Sequence, residues 1–326
     1  MTRLLYTSRV LYTAFLIFLA IVVFITTPSP TMRSLKNPST TRHSTSTSSS
    51  SSTTSGSLNS NTHLNQDISE GGVNVGLLTS DGSSCISESQ AHSMGGKVVF
   101  FSFADENYKI SLARITNEAK MTGVFDEVLA YSPKDIPRDY FNAHFEVLNA
   151  TRGAGYWAWK PYFLKSIMTR LSYGDVIMFA DAGCEFTGNP QMFVDIAREY
   201  GFLGFRLPIA PKHYVQRWTK GDIFEALGVD MELFGTEKQH VGGIFLIQKT
   251  PRNEQFVSDW LRFSEDPQLI TDKESKAPNH PDFQENRHDQ AIYSLLIYKY
   301  GMSLILEDRT FPREYSKVIH AARRRD

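Results

Sequence analysis

The chain has 326 residues and carries 34 Lys+Arg against 35 Asp+Glu, a formal net charge of −1 at pH 7. A balance this close to zero leaves no whole-chain basic stripe and speaks against a nucleic-acid partner. Only two cysteines, Cys85 and Cys184, are present, too few for a disulfide framework.

Val10 to Thr26 (VLYTAFLIFLAIVVFIT) contains no charged residue and follows Arg3 and Arg9. About seventeen apolar residues is the short end of what crosses a bilayer as a helix, and short spans suit the thinner membranes of the early secretory pathway. The two arginines favour a cytoplasmic N-terminus, with Arg33 and Lys36 on the other flank counting against it. A cleaved signal peptide shares the basic and apolar regions, but the run is long for one and no small-x-small site follows. Residues 40–60 are mostly Ser, Thr and Asn; such a stretch buries too little apolar surface to offset its ordering entropy. It reads as an O-glycosylated stalk or a plain linker.

The expected organisation is a cytoplasmic tail at 1–9, a transmembrane anchor at 10–26, a disordered Ser/Thr-rich stem at 27–94 and one folded domain at 95–326. This is a single-pass type II topology with the folded part in the Golgi or ER lumen. Cys85 and Cys184 are then two free thiols or one pair. Asn149-Ala150-Thr151 is an N-glycosylation sequon.

Within the folded part, Lys97 to Ala104 (KVVFFSFA) has the composition of a buried strand. Lys109 to Met121 carries Ile110, Ala113, Ile115 and Ala119 near helical spacing, and Glu127 to Tyr131 is a second strand. A helix opens at Pro161, with Phe163, Leu164, Ile167, Met168 and Leu171 on one face. It leads into the strand Asp175 to Ala180. Helices at Pro190–Tyr200, Asn253–Phe263 and His288–Tyr300 and a strand at Gly243–Gln248 follow. Alternating strands and helices predict a mostly parallel α/β sheet covered on both faces, with ligands beyond the carboxyl ends of its strands.

Asp181 falls at such an end, in Phe179-Ala180-Asp181-Ala182-Gly183-Cys184-Glu185. A hard carboxylate there suits Mg²⁺ or Mn²⁺ held together with substrate phosphates, although Asp-x-Gly is also ordinary turn chemistry. In Arg152-Gly153-Ala154-Gly155-Tyr156-Trp157-Ala158-Trp159-Lys160, Tyr156 and Trp157 offer faces for a base or sugar ring. Arg152 and Lys160 offer charge for phosphate, Lys160 beside a helix N-terminus. The alternative is that the tryptophans anchor the loop on the core. Gly242 and Gly243 precede a strand and allow a backbone approach that any Cβ would block, or form a bulge. Asp289 and Gln290 open a helix, where they face a reaction centre or cap the helix end. His320, in the basic C-terminal segment Lys317 to Arg325, is a metal ligand or a surface residue, and the basic tail itself meets diphosphate or is a solvated end.

In their order these segments resemble the GT-A nucleotide-diphospho-sugar transferases, notably glycogenin and the bacterial lipopolysaccharide galactosyltransferases. Asp181-Ala182-Gly183 is similar to the metal-binding D-x-D motif with Gly183 in place of the second Asp. Val241-Gly242-Gly243 is similar to that family's strand start without its Asn. Asp289-Gln290 matches an Asp-Gln pair near the sugar, and His320 stands like a C-terminal metal histidine. The resemblance implies a GT-A, Rossmann-like fold and a retaining transferase. It would move a hexose from a nucleoside-diphosphate donor such as a UDP-sugar to a glycan or glycoprotein. Asp181 and His320 would hold Mn²⁺ or Mg²⁺, Asp289 and Gln290 would stand at the reaction centre, and Arg152, Tyr156, Trp157, Lys160, Gly242 and Gly243 would bind the donor. Two rivals are a membrane-tethered carbohydrate-binding protein that has lost catalysis and a glycoside hydrolase using Glu185 and Asp289.

Overall fold

The computed structural model describes Ser87 and residues 96–207, 210–302, 305–307 and 318–325. The expected tail, anchor and Cys85, and the stem apart from Ser87, lie outside the described residues. Among the described residues no helix is long and apolar enough to cross a membrane.

The strands are β1 (Val98–Phe103), β2 (Glu127–Tyr131), β3 (Val176–Ala180), β4 (Glu185–Phe186), β5 (Phe202–Arg206), β6 (Ile244–Gln248), β7 (Ile305–Glu307) and β8 (Ile319–His320). Six form one sheet in the order β2-β1-β3-β6-β5-β7, and β4 pairs with β8 in a separate ribbon. β6 runs antiparallel to both neighbours, while the other five strands share one direction. The mixed α/β sheet, mostly parallel and covered by helices, is the fold class expected from the alternating pattern.

The sheet is central because its strands are apolar on both faces. All residues of β1, β3 and β6 are buried. Alternate residues divide between two cores: Val99, Phe101, Phe103, Ile177 and Phe179 enter the larger, and Val98, Phe100, Val176, Met178 and Ala180 the smaller. The larger core is completed by Trp159–Thr169, Pro251–Ser264 and His288–Tyr300, the smaller by Lys109–Met121 and Gln191–Tyr200.

Two differences from the periodicity matter for the site. The helix expected from Pro161 begins at Trp159. Pro161 is its third residue, where a missing N–H costs no hydrogen bond, and Lys160 lies inside the first turn. The strand expected at Gly243–Gln248 is antiparallel, so Ile244 pairs with Ala180. Its N-terminal end therefore meets the carboxyl end of β3.

Candidate active site

A cavity of ≈450 Å³ opens at the carboxyl ends of β1 and β3. Phe103, Ala104, Asp105 and Tyr108 line it from β1 and the turn beyond, and Asp181, Ala182 and Gly183 from the end of β3. Gly153, Ala154, Trp157 and Trp159 form another wall, and Arg323 reaches it from the C-terminal segment.

Asp181 is fixed by its backbone, its N–H donating to the Gly243 carbonyl at 2.8 Å. Its carboxylate fills the space a side chain on Gly243 would take: a Cβ there would lie 2.5 Å from Asp181 Oδ2. Burial pushes the Asp181 carboxyl above the usual range, and the Lys160 charge opposes this.

Behind it, Lys160 Nζ donates to Asp289 Oδ2 at 2.8 Å, both side chains being 4% exposed. The ammonium also lies over the rings of Trp159 and Phe179, 5.6 and 5.2 Å from their centroids. Burial pushes Asp289 up to about 6 against the pull of Lys160, and the Asp181 charge adds to the rise. Gln290 Oε1 accepts the Gly242 N–H at 3.4 Å, and Gln290 Nε2 donates to Gln239 Oε1 at 3.0 Å. A Cβ on Gly242 would lie 3.5 Å from Lys160 Nζ. Lys160, Asp181, Gly242, Gly243, Asp289 and Gln290 are thus one contiguous cluster drawn from four segments. Of these six, Asp181 lines the cavity, and the other five stand behind it.

The aromatic wall has an unusual backbone. Gly153, Ala154, Gly155, Tyr156 and Trp157 have φ of 60, 50, 100, 51 and 61°. This left-handed turn is closed by Tyr156 N–H to Arg152 O at 2.8 Å and Trp157 N–H to Gly153 O at 3.2 Å. Left-handed helical backbone costs roughly 1–2 kcal/mol for each residue with a Cβ, so tertiary packing must hold the turn. Trp159 Nε1 donates to Gly153 O at 2.9 Å. The rings of Tyr156 and Trp157 pack on His288, with centroids 4.9 and 5.7 Å apart. His288, itself at φ 53°, has its pKa lowered by burial and has Nδ1 2.7 Å from the Ile270 carbonyl oxygen.

Other expected site residues stand elsewhere. Arg152 is ion-paired with Asp272 at 3.4 Å and Glu285 at 3.6 Å and is not on the cavity wall. Tyr156 reaches His288 rather than the cavity, whereas Trp157 does both. Lys160 is in the core against a carboxylate rather than exposed for phosphate. His320 is 54% exposed on β8, its Nδ1 3.3 Å from Glu185 Oε1. Cys184 is buried, with its thiol pushed up by that burial.

The resemblance implies a divalent ion, and among the described residues the donor atoms do not make a centre for one. Gly183 has no side chain, and a Cβ there would lie 3.1 Å from Arg323 Cα. Glu185 accepts from Arg324 Nη1 at 2.8 Å, and that guanidinium, assisted by His320, holds its carboxyl low. Asp105 caps its own turn, accepting from Asn107 N and Nδ2. Among the described residues no group of three or more His, Cys, Asp or Glu could hold a metal ion.

Sequence reasoning passed over Asp105, Tyr108 and Ala154 as wall residues. Asp105 follows β1 as Asp181 follows β3, so the strand-end rule could have found it. Arg323 belongs to the basic C-terminal run read as a diphosphate contact or a solvated end; nothing local separates it from the two arginines that follow.

No protein-family model and no curated protein matches the chain. Among solved structures it is similar to the WbbM bifunctional glycosyltransferase in its apo form, at 13% identity and TM-score 0.39 over 66% of this chain and 39% of that one. It is similar to mouse xyloside xylosyltransferase 1, apo form, at 10% identity and TM-score 0.38 over 65% of this chain and 85% of that one. The galactosyltransferase LgtC, in complex with donor and acceptor sugar analogues, gives 14% identity and TM-score 0.33 over 67% of this chain and 77% of that one. Likenesses this distant carry no argument about activity, which rests on the chain's own geometry.

Proposed function

We propose that the chain is a glycosyltransferase that moves a sugar, a hexose in the simplest case, from a nucleoside-diphosphate donor such as a UDP-sugar to a glycan or glycoprotein acceptor. The observation that carries the reading is the meeting of Asp181, Gly243 and the Lys160–Asp289 pair at the rim of the sheet beside the ≈450 Å³ cavity. The cavity has room for a nucleotide sugar, and its aromatic wall suits a base or sugar ring. Asp289, Gln290 and the glycine backbone would orient the sugar.

Retention of anomeric configuration is part of the proposal. Asp289 is 3% exposed and spent on Lys160, which suits a group that positions the donor better than a base reaching an acceptor hydroxyl. A lumenal setting behind a membrane anchor at 10–26 belongs to the same proposal and follows from the sequence alone.

The test is a panel of nucleotide sugars incubated with the full chain, with release of the nucleoside diphosphate as readout. Turnover of at least one donor, abolished by Asp289→Asn without loss of the fold, is the expected result. Sugar transfer or glycan hydrolysis without any nucleotide sugar would overturn it.

A further inference from the structure

The charges at the cavity leave a deficit. Asp105 and Asp181 line it; Lys160 behind it is bonded to Asp289, and Arg114, which donates to the Ala182 carbonyl at 3.2 Å, is paired with Glu118 at 2.9 Å. A diphosphate entering here needs positive charge from the rim.

The C-terminal segment brings that charge to a fixed place. Ile319 and His320 pair with Phe186 and Glu185, and the N–H groups of Thr187 and Gly188 both donate to Val318 O. Arg324 N–H donates to Gly183 O at 3.0 Å, and Ser111 Oγ donates to Arg324 O at 3.0 Å. These bonds lay the strap across Ala182 to Gly188 and leave Arg323 over Gly183, with φ 53°, on the cavity wall. Its neighbours are committed: Arg324 to Glu185, and Arg325 to Tyr108, Nε donating to the phenol oxygen at 3.2 Å. Arg323 makes no ion pair among the described residues.

Resting on the nucleotide-sugar reading above, we infer that Arg323 supplies the positive charge for the donor's diphosphate, standing where a second metal-binding carboxylate would otherwise be. A Cβ at position 183 would press on the Arg323 backbone at 3.1 Å, so a side chain there would require the strap to give way by a few tenths of an ångström. The guanidinium fork suits two phosphate oxygens at once. Donor binding then needs no divalent ion, and Arg323 is a diphosphate-binding residue.

The test is calorimetric titration of the full chain in detergent with UDP, GDP and ADP, in chelator and in Mn²⁺. In chelator at least one nucleotide binds, and Mn²⁺ changes its Kd by less than about threefold. Arg323→Gln weakens that binding by about 10- to 100-fold and Arg323→Lys by less, because lysine keeps the charge without the fork. The salt dependence is shallower in Arg323→Gln, and the melting temperature, set by the core, does not move. Binding that disappears in chelator and returns with Mn²⁺ overturns the inference and leaves the transferase reading standing, as does binding untouched by Arg323→Gln. No nucleotide bound under either condition overturns both.

Discussion

Lys160 and Asp289, separated by 129 positions in the chain, form a 2.8 Å ion pair that is almost wholly withdrawn from solvent. One belongs to the first turn of the helix that follows the aromatic turn, the other to the first turn of the helix His288–Tyr300. The pair joins these two helices through the core. A buried pair of this kind is costly to break and contributes little net stability when intact.

Lys160→Met should therefore strand Asp289 and destabilise the fold by about 3–5 kcal/mol. The double replacement Lys160→Met with Asp289→Leu should recover most of that loss while remaining inactive. Urea unfolding of the three proteins checks the first statement and donor turnover the second. Equal losses in single and double variants would show that the pair is not a unit.

The Asp289 carboxyl is raised from 3.8 to about 6, which gives a direction for pH. Between those values the folded chain holds the proton more tightly than the unfolded chain. This contribution to stability is complete below the lower value and is lost as pH rises through about 6. Activity moves the opposite way if the ionised carboxylate orients the sugar: kcat falls in acid with an apparent pKa of about 6. Asp289→Asn should flatten the stability slope, measured as unfolding free energy against pH.

The two glycines before β6 should respond differently to the same change. Gly243→Ala would place Cβ 2.5 Å from Asp181 Oδ2, whereas in Gly242→Ala the nearest atom is Lys160 Nζ at 3.5 Å, an ordinary contact. Gly243→Ala should push Asp181 out of place and weaken donor binding about tenfold or more, while Gly242→Ala stays within about twofold. Calorimetric titration of the preferred nucleotide distinguishes them.

The left-handed turn offers a stability test. Ala154 sits at φ 50° and ψ 50°, so Ala154→Gly should leave stability unchanged or raise it by up to about 1 kcal/mol. Gly155→Ala should destabilise by about 2 kcal/mol or more: φ is 100° and the new Cβ would lie 2.9 Å from Leu148 Cα. Thermal unfolding of both variants measures the difference.

The strands at Val98–Phe103, Glu127–Tyr131 and Val176–Ala180 and the helices at Lys109–Met121 and His288–Tyr300 were legible because each is long enough for its period to show. Asp181 was legible for a related reason: it is the first polar residue after an apolar strand, where the chain must leave the sheet. The left-handed turn was only half legible. Its glycines at 153 and 155 signal positive φ, but nothing local tells Ala154, Tyr156 and Trp157 to follow, since each opposes that backbone by itself. What holds them comes from distant segments: the larger core packs against all three, and His288 against the rings of Tyr156 and Trp157.

The sequence by itself determined the class of sheet, the apolar faces that bury it and the carboxylate at the end of β3, all of which depend on local periodicity. Tertiary structure decided the direction of β6, and with it the placing of Gly243 against Asp181, because apolar alternation reads the same in both directions along a strand. It also turned Lys160 inward to Asp289 and carried Arg323 back over Gly183. Those contacts join residues far apart in the chain, and the closing of such long loops is governed by the packing of the whole domain rather than by the composition of either end.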